Sequence, residues 1–350
     1  MDKITWLGLS VTDFCNLNCV YCAVDARSKG IAADFDIIQK FFDYFSPYAG
    51  TATMVSITGG EPTLHPRIVD IVKYAEEHLI DPNIIILSNG IIPKKTFDAL
   101  LSETKAMFQI SFEGLPEIHD SERFDSSGNP SSSGVIKTMK AVVAHDPSRL
   151  RVRVNYSPKK FGKEDKIADF LTSLGVQRIS QGVLFGVGRG KDYKDIDYFE
   201  SLKGWPIFIK AMRKKGLTLN VNTKEMLEWL PCGAGTRSFF LTVDGKVAVC
   251  QNIVNAEKIP EVAKILVVGD IKGGVHIDKE KLSKVMEFSE EVPAACAACD
   301  VKTFCNHCPY EKALAGGVFS KEFCKNTKCR LCSLANHGLI DHAKLKKACE

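Results

Sequence analysis

The chain has 350 residues, 45% of them hydrophobic, and a formal net charge of +4 at pH 7. This length accommodates one large domain and a smaller one, with a substantial buried core. No apolar run approaches the roughly 18 residues of a membrane span, and the first residues lack the pattern of a signal peptide. We therefore expect a cytoplasmic protein with no membrane partner. The basic run at 210–215 is expected to be a solvated helix face, not a nucleic-acid site.

Strand-like and helix-like segments alternate over the first 190 residues. Most of the short runs rich in β-branched and aromatic residues end in Gly, Asn or Pro, and apolar residues recur every three or four positions between them. The predicted strands are 4–10, 53–58, 84–88, 107–112, 151–156 and 178–184, and the predicted helices are 35–45, 67–78, 95–101, 134–145 and 164–174. One helical connection per strand predicts a parallel sheet. A closed barrel takes about 250 residues, so we expect an α/β fold, an open, partial (β/α)6 barrel with its chemistry at the carboxyl ends of the strands.

The remainder of the chain has a different character. A helix over 198–215 is expected to lead out of the barrel, and the elements beyond it are short. Asp244-Gly245, between two apolar runs, predicts a hairpin. We therefore expect two domains, residues 1–215 and a small, cysteine-rich α+β domain over 216–350.

Thirteen cysteines are distributed unevenly along the chain. Three lie within 15–22, none between 23 and 231, and ten from 232 onward. Without a signal peptide the thiols are expected to stay reduced, and clustered thiols then indicate metal ligands. A disulfide framework would rarely leave so long a segment bare, so the pattern favours two separate metal-binding regions.

The first region is the CxxxCxxC sequence of Cys15, Cys19 and Cys22, after the first predicted strand. Three thiolates can hold three corners of a cubane iron–sulfur cluster and leave the fourth iron open to a substrate or cofactor. A structural zinc site needs a fourth ligand. The nearest histidine in sequence is His65 and the next cysteine is Cys232, so the alternative is a zinc knuckle completed from a distance.

This spacing, with Tyr21 before the last cysteine, resembles the radical SAM superfamily. The resemblance implies that the open iron chelates S-adenosylmethionine (SAM) through its amino and carboxylate groups. One electron from the reduced cluster then cleaves SAM, giving methionine and a 5′-deoxyadenosyl radical that abstracts hydrogen from the substrate. It also implies a reductant such as flavodoxin or ferredoxin.

Further motifs at the predicted strand ends extend the resemblance. Gly59-Gly60-Glu61 resembles the motif that contacts the SAM amino group, and Ser88-Asn89-Gly90 resembles the family's (T/S)NG turn. Two glycines allow close backbone approach, and a carboxylate can hold an ammonium group. By this resemblance the candidate SAM-binding residues are Tyr21, Gly59, Gly60, Glu61, Ser88, Ser111, Arg153, Asn155 and Leu184. Ordinary loop or sheet roles are the alternative.

Residues 111–123 resemble the S-x-D-G-P…H-D-x-x-R segment of radical SAM enzymes that carry a SPASM domain. Glu113 stands where Asp is usual, and Leu115 is an extra residue before the proline. We expect Asp120 and Arg123 to form a structural ion pair that fixes the loop. The sequence identifies no general base or other catalytic side chain.

The second cysteine region resembles the SPASM pattern, in which seven cysteines help to bind two auxiliary clusters. One spacing is a residue shorter than usual, just before Cys308. Carried over by position, Cys296, Cys299, Cys305 and Cys324 hold a distal 4Fe-4S cluster, and Cys232, Cys250 and Cys308 hold a proximal one. The fourth ligand position of the proximal cluster is open to substrate or filled by Cys329, Cys332 or a non-cysteine ligand. Cys349 is expected to be a free thiol. Paired CxxC units also suit zinc ribbons.

Auxiliary clusters suit a substrate that must lose an electron, because iron–sulfur potentials span a wide range. The resemblance therefore implies oxidative chemistry, and we expect crosslinking or oxidation of a side chain in a ribosomally made peptide or protein. The alternatives are a small-molecule dehydrogenase or epimerase, acting on a sugar, cofactor or antibiotic precursor, and a non-catalytic metal-binding module. Because the first strand begins at residue 4, no leader-recognition domain is expected before it.

Overall fold

The computed structural model describes residues 3–184, 188–193, 198–219, 232–290, 294–296, 298, 299, 301, 308–316, 321–337 and 339. Seven strands of the barrel region are β1 (Ile4–Thr12), β2 (Ala49–Gly59), β3 (Asn83–Ser88), β4 (Met107–Ser111), β5 (Leu150–Tyr156), β6 (Arg178–Val183) and β7 (Thr218–Leu219). They lie side by side in chain order, and each pairs in parallel with the next. The predicted α/β fold with a parallel sheet is confirmed.

Helices connect these strands and cover one face of the sheet. They are α1 (Phe35–Phe45), α2 (Ile68–His78), α3 (Lys94–Glu103), α4 (Pro116–Glu122), α5 (Ser132–His145), α6 (Glu164–Ser173) and α7 (Tyr198–Lys214). α1 shows why they form: Asp34 caps its first turn, and Ile38, Phe41, Phe42 and Phe45 recur at helical spacing on one fully buried side. Only α4 is absent from the sequence prediction; it is short, and Pro116 starts it.

The C-terminal region continues the same sheet. Its strands are β8 (Ser238–Leu241), β9 (Lys246–Ala248), β10 (Val267–Asp270) and β11 (His276–Ile277), and its helices are α8 (Pro260–Leu266), α9 (Lys279–Glu290), α10 (Pro309–Leu314) and α11 (Lys321–Asn336). β8 pairs in parallel with β1, and β9 to β11 follow as an antiparallel extension. The predicted hairpin is confirmed, with Gly245 at φ +76° in its turn. None of the described helices is long and apolar enough to cross a bilayer.

The contact between β1 and β8 joins the two predicted domains closely. Phe239 stacks on Phe45 of α1 with ring centroids 4.8 Å apart, and Phe240 meets the Trp6 ring edge-on at 5.1 Å. One hydrophobic core runs through both regions. The division at residues 215 and 216 therefore stays a prediction.

The two faces of the parallel sheet have different roles. Residues of β5 alternate between buried and partly buried. Val152 and Val154 pack into the main core against the helices, whereas Arg151 and Arg153 point to the concave side. We call this concave side the lumen, and the candidate site lies at its rim, where β1 to β6 end.

Candidate functional site

Three thiols lie together in the loop that follows β1, residues 13–30, which we call the cysteine loop. Cys15 and Cys19 are buried, Cys22 is partly buried, and all three belong to one small apolar cluster. Within the part of the chain that the structure describes, no three His, Cys, Asp or Glu side chains converge tightly enough to hold a single metal ion. Thiolates on a cubane cluster bind separate irons and so lie farther apart than the ligands of one ion.

The electrostatics of these thiols suits a metal cluster. Burial, assisted by the nearby charge of Glu61, raises the pKa of Cys15 to about 12. Burial also raises the pKa of Cys19, while the guanidinium of Arg123 opposes that rise. Buried thiolates are therefore unfavourable alone, and the positive charge of bound iron would compensate them. The residues present fit a site with three thiolate ligands.

Asn89, just after β3, holds the cysteine loop in place. Its side-chain amide donates to Cys15 Sγ over 3.4 Å and to Asn16 Oδ1 over 2.7 Å. The backbone N–H of Leu17 also donates to Cys15 Sγ over 3.4 Å. Two donors therefore already point at one sulfur, which favours its thiolate form.

Glu61 is fully buried, and its carboxylate is turned into the protein. It accepts hydrogen bonds from the Ser88 hydroxyl over 2.9 Å, from Asn89 N over 2.6 Å and from both the backbone and the hydroxyl of Thr63. Burial raises the pKa of Glu61 against the effect of these donors. The carboxylate that was expected to hold an ammonium group thus already joins the ends of β2 and β3.

The two glycines before Glu61 permit a close contact with the cysteine loop. A Cβ at Gly59, whose φ is +138°, would lie 2.0 Å from the carbonyl oxygen of Thr12, and one at Gly60 would lie 2.1 Å from that of Phe14. The N–H of Gly60 donates to that Thr12 oxygen over 2.8 Å. Only glycine allows this approach, so the GGE turn fixes the start of the loop.

Arg189, after β6, holds the far side of the cysteine loop. Its backbone N–H donates to the carbonyl oxygen of Cys22 over 3.0 Å, and its guanidinium donates to Asn18 and to the carbonyl oxygen of Ala26. Gly188 precedes it at φ +56°, where a Cβ would lie 2.4 Å from the Cys22 oxygen. The charge of Arg189 also favours the Cys19 thiolate.

A network of buried charges lies beside Cys19. The hydroxyl of Tyr21 donates to the fully buried carboxylate of Glu113 and accepts from Arg123 Nη1 over 2.9 Å. Lys160 Nζ lies 3.2 Å from Glu113 and 3.5 Å from Glu122, and all three side chains are fully buried. Burial acts to raise the pKa of Glu113, but Lys160 and Arg123 outweigh it and lower that pKa. The network thus anchors Tyr21, a residue of the cysteine loop, on Glu113 and Arg123.

The predicted ion pair between Asp120 and Arg123 is wrong. Asp120 instead accepts hydrogen bonds from the backbone N–H groups of Ser131 and Ser132 over 3.0 and 2.8 Å, at the start of α5. A carboxylate is stabilised there by the unpaired N–H groups of the helix. Arg123 points to Tyr21 and lies 3.8 Å from Glu113.

The other candidate SAM-binding residues meet at the rim of the lumen. Ser111 and Arg153 are partners in the β4–β5 register. Arg153 donates to Asn155 Oδ1 over 3.3 Å and to the Ser180 hydroxyl over 3.1 Å, and Asn155 Nδ2 donates to Glu113. Burial lowers the pKa of Arg153. Leu184 is buried just after β6.

The described C-terminal cysteines form two groups. The charges of Cys232, Cys250 and Cys308 are near enough to interact, and so are those of Cys324 with Cys296 and Cys299. Burial raises the pKa of Cys250, and it raises that of Cys308 to about 11. Cys305 and Cys349 lie outside the described residues, and the assignment of these thiols to a proximal and a distal cluster stays a prediction.

Two further predicted metal ligands, Cys329 and Cys332, lie on α11. Cys329, on α11, lies near Lys203 and Glu200 of α7 and near Lys325. Cys332 lies three residues further along the same helix. The assignment of Cys329 and Cys332 as metal ligands stays a prediction.

The cysteine loop also contacts the C-terminal region. Asp13 accepts from the N–H of Ile31 over 2.7 Å and from Asn255 Nδ2 over 3.1 Å, and it lies 2.9 Å from Lys258 Nζ. Burial acts to raise the pKa of Asp13, but these contacts lower it. Asp13 thus links the first metal-binding region to the segment after Cys250.

Sequence analysis missed Asp13, Glu122, Lys160 and Arg189. No local motif marks them, because their partners are distant in the chain. The one signal was Arg189 between two glycines, a pattern that permits close backbone approach.

A family model described as the radical SAM superfamily matches residues 9–147. An uncharacterised protein of Methanocaldococcus jannaschii is 27% identical over 227 residues, covering 61% of this chain and 77% of that protein. A GTP 3′,8-cyclase of Microcystis aeruginosa is 27% identical over 166 residues, 44% of this chain and 49% of that protein. A probable GTP 3′,8-cyclase of Saccharolobus islandicus is 26% identical over 276 residues, 70% of this chain and 82% of that protein. The chain thus spans about half of the second relative and more of the other two.

Solved structures extend the likeness to the C-terminal region. The structure of anSMEcpe with bound AdoMet superposes with a TM-score of 0.74 and 16% identity, covering 98% of this chain and 99% of that one. The same protein with AdoMet and the Cp18Cys peptide gives 0.72 and 17%, covering 98% and 99%. Streptococcus suis SuiB bound to its precursor peptide SuiA gives 0.68 and 15%, covering 93% and 76%. At such identities the likeness concerns the fold.

Proposed function

This chain carries a radical SAM domain, and from that premise we propose that it is a peptide- or protein-modifying enzyme that oxidises a side chain of its substrate. A 4Fe-4S cluster and SAM, which are typical of this superfamily, supply reductive cleavage of SAM and abstraction of a hydrogen atom from the substrate when bound. Cys15, Cys19 and Cys22 are the proposed ligands of that cluster.

The observation that carries the proposal is the grouping of three thiols, two buried and one partly buried, in the cysteine loop. The loop is held from several sides, by Asn89, by the GGE turn and by Arg189. This support fixes the ligands before any cluster binds, which suits a site that must keep one iron accessible. Within the loop, the hydroxyl of Tyr21 is anchored on the buried carboxylate of Glu113.

Side chains at the rim of the lumen are the proposed SAM contacts. Arg153 makes its described hydrogen bonds to neutral groups, so its guanidinium suits a carboxylate. Ser111 and Asn155 offer hydroxyl and amide groups beside it. Gly59 and Gly60, whose Cβ positions face the cysteine loop, stay proposed contacts through their backbone, and Leu184 offers an apolar surface.

Two auxiliary clusters are proposed for the C-terminal region. Their support is the separation of its described thiols into one group around Cys250 and another around Cys324. A substrate that has lost a hydrogen atom must lose one further electron and a proton to complete a two-electron oxidation. Cluster sites next to the barrel would provide acceptors for that electron.

A peptide or protein is the proposed substrate, for a reason of fold. The two structural neighbours with a bound peptide, anSMEcpe with Cp18Cys and SuiB with SuiA, resemble this chain over both regions, not over the barrel alone. The second candidate is a nucleotide or other small molecule, and it is favoured by the relatives named GTP 3′,8-cyclase.

Anaerobic purification followed by cluster reconstitution tests the enzymatic proposal. We expect a brown protein that forms 5′-deoxyadenosine from SAM when dithionite supplies the electron. Flavodoxin or ferredoxin should replace dithionite. A colourless zinc protein that leaves SAM intact would sink the proposal.

Deuterium transfer separates the two substrate candidates. Reconstituted enzyme is incubated with deuterated peptides encoded near its gene, and separately with deuterated GTP, and 5′-deoxyadenosine is analysed by mass spectrometry. Label from a peptide supports the first candidate. Label from GTP alone replaces it with the second.

Cysteine variants test which cysteines bind which iron–sulfur cluster. Cys19→Ala should lose the irons of the first cluster together with SAM cleavage, and Cys250→Ala should lose a different set of irons. Cys349→Ala is the matched control, since Cys349 is expected to be a free thiol, and its iron content should equal that of the parent. Iron analysis and Mössbauer spectroscopy give the readout.

A further inference from the structure

One wall of the lumen carries positive charge that the proposed SAM contacts leave unused. β3, β4, β5 and β6 together contain Arg151, Arg153 and Arg178 and no acidic residue. Arg153 lies at the level of Ser111, near the rim, and is the proposed SAM contact. Arg151 lies two residues earlier on β5 and on the same face, so it is one layer deeper in the lumen.

Arg151 has no countercharge in the described structure. Its guanidinium makes no hydrogen bond or ion pair with any residue that the structure describes. Its register partner on β4 is the neutral Gln109, and on β6 it lies beside Arg178. Burial, together with the charge of Arg178, lowers the pKa of Arg151.

Among the described residues, Arg178 has two hydrogen-bond contacts, and neither is with an anion. It donates to the carbonyl oxygen of Ser148 over 3.1 Å and lies 4.0 Å from Met107 Sδ. Two guanidinium groups side by side in a half-buried place repel each other and lose hydration. An anion between them would remove both costs, and a guanidinium binds carboxylate and phosphate oxygens with two parallel hydrogen bonds.

We propose that Arg151, with Arg178 beside it, binds an oxyanion of the substrate in the lumen below the SAM site. This inference rests on the proposed function and adds the chemical class of its substrate: a molecule with a carboxylate or a phosphate near the carbon that loses hydrogen. An acidic side chain of a peptide and the phosphates of a nucleotide present this same chemistry.

Binding measurements with matched anionic and neutral probes test it. Reconstituted, SAM-loaded protein is titrated anaerobically with pyrophosphate, with GTP and guanosine, and with a Glu-containing peptide and its Gln counterpart. We expect pyrophosphate to bind, and one anionic member of a pair to bind at least about tenfold more tightly than its neutral partner. The pair that shows the preference identifies the source of the oxyanion.

Substitutions then test whether Arg151 causes the preference for the anionic probe. Arg151→Gln should reduce it about tenfold without changing the affinity for the neutral probe, and Arg151→Lys should restore part of it. Lys140→Gln, on the exposed side of α5, removes one positive charge elsewhere and serves as the control. Thermal melting of each variant identifies any loss of folding, and Arg151→Lys carries the test if the glutamine variant does not fold.

Equal affinities for anionic and neutral probes, or a preference that Arg151→Gln leaves intact, would overturn the inference. Its failure is distinguishable from failure of the proposed function. Formation of 5′-deoxyadenosine by the unaltered chain tests the latter alone, because it needs SAM and an electron but no anionic substrate.

Discussion

Buried charged side chains hold Tyr21 beside the proposed iron–sulfur cluster. Glu113 receives the Tyr21 hydroxyl on one side and the ammonium of Lys160 on the other. Lys160 also faces Glu122, whose pKa burial raises. Lys160 is therefore the nearest cation to both carboxylates, and its loss would leave only the more distant Arg123 beside Glu113 and Lys159 beside Glu122.

Lys160→Met should destabilise the folded protein by about 3–5 kcal/mol, because it removes one partner of a buried charge cluster. Urea unfolding of the apoprotein measures this change. Lys163→Met, at an exposed position, is the control and should stay within about 0.5 kcal/mol of the parent.

A second substitution in the same group of buried charges checks this role of Lys160. Adding Glu122→Gln to Lys160→Met removes one of the two carboxylates that have lost their nearest cation, and it should recover part of the lost stability. A double variant no more stable than Lys160→Met would contradict this account of Lys160.

His119 makes stability depend on pH. It is fully buried, and burial together with nearby Arg123 lowers its pKa from 6.5 to about 3. Its Nδ1 accepts from the N–H of Glu113 over 3.3 Å, and its Nε2 lies 2.9 Å from the Ser131 hydroxyl. The folded protein thus requires the neutral ring.

Stability should therefore fall as the pH drops below about 6.5, because the unfolded chain then binds a proton at His119 that the folded chain does not; the fall ends near pH 3. Between pH 7.5 and 5.5 this amounts to about 1.4 kcal/mol. Urea unfolding at both values should show that His119→Gln loses this difference. The control is His145→Gln, at the exposed end of α5; an unchanged pH dependence in His119→Gln would refute the assignment.

At the scale of elements, the cysteine loop is shaped by the ends of several strands. The turn after β2 contacts its start, the turn after β3 bonds Cys15, and the segment after β6 bonds Cys22. Parallel strands bring their carboxyl ends to one edge, which explains how residues far apart in sequence hold one short loop.

Gly188→Ala should disturb this arrangement, because its Cβ would lie 2.4 Å from the carbonyl oxygen of Cys22 at a positive φ. We expect less iron in the first cluster and slower SAM cleavage, measured on the reconstituted protein. Gly128→Ala is a matched control, since Gly128 also has a positive φ, +83°, but nothing lies within 4 Å of its Cβ position. Equal iron content in both variants would show that the close approach at Gly188 is unimportant.

At the scale of the molecule, β8 extends the barrel sheet beyond β1. Phe240 lies directly over Gly8, where an added Cβ would lie 2.1 Å from its ring. The absence of a side chain at Gly8 thus allows the C-terminal region to pack onto the barrel, and stability should depend on both residues together.

A double-mutant cycle measures this coupling. Gly8→Ala should cost about 1–3 kcal/mol by overpacking, and Phe240→Ala about 3–5 kcal/mol by leaving a cavity. The double variant should cost clearly less than their sum, because loss of the ring makes room for the methyl group. Thermal and urea unfolding provide the values, and strict additivity would argue against the contact.

The sequence by itself determined the alternation of strands and helices and the first cysteine trio. Both are local: hydrophobic periodicity depends on neighbouring residues, and CxxxCxxC places three thiols in one loop whatever surrounds it. The glycines of the GGE turn and of the hairpin at Gly245 were recognisable for the same reason. Gly59 and Gly245 have a positive φ, which favours glycine whatever the distant chain does.

Only the tertiary structure decided which distant groups meet. Asp120 and Arg123 are close in sequence, yet Asp120 bonds the start of α5 and Arg123 bonds Tyr21. Cys232 and Cys308 are neighbours although a long segment separates them. Such pairings depend on which strand ends and helices pack together, and no local pattern encodes that, because burial and electrostatic partners are properties of the assembled sheet.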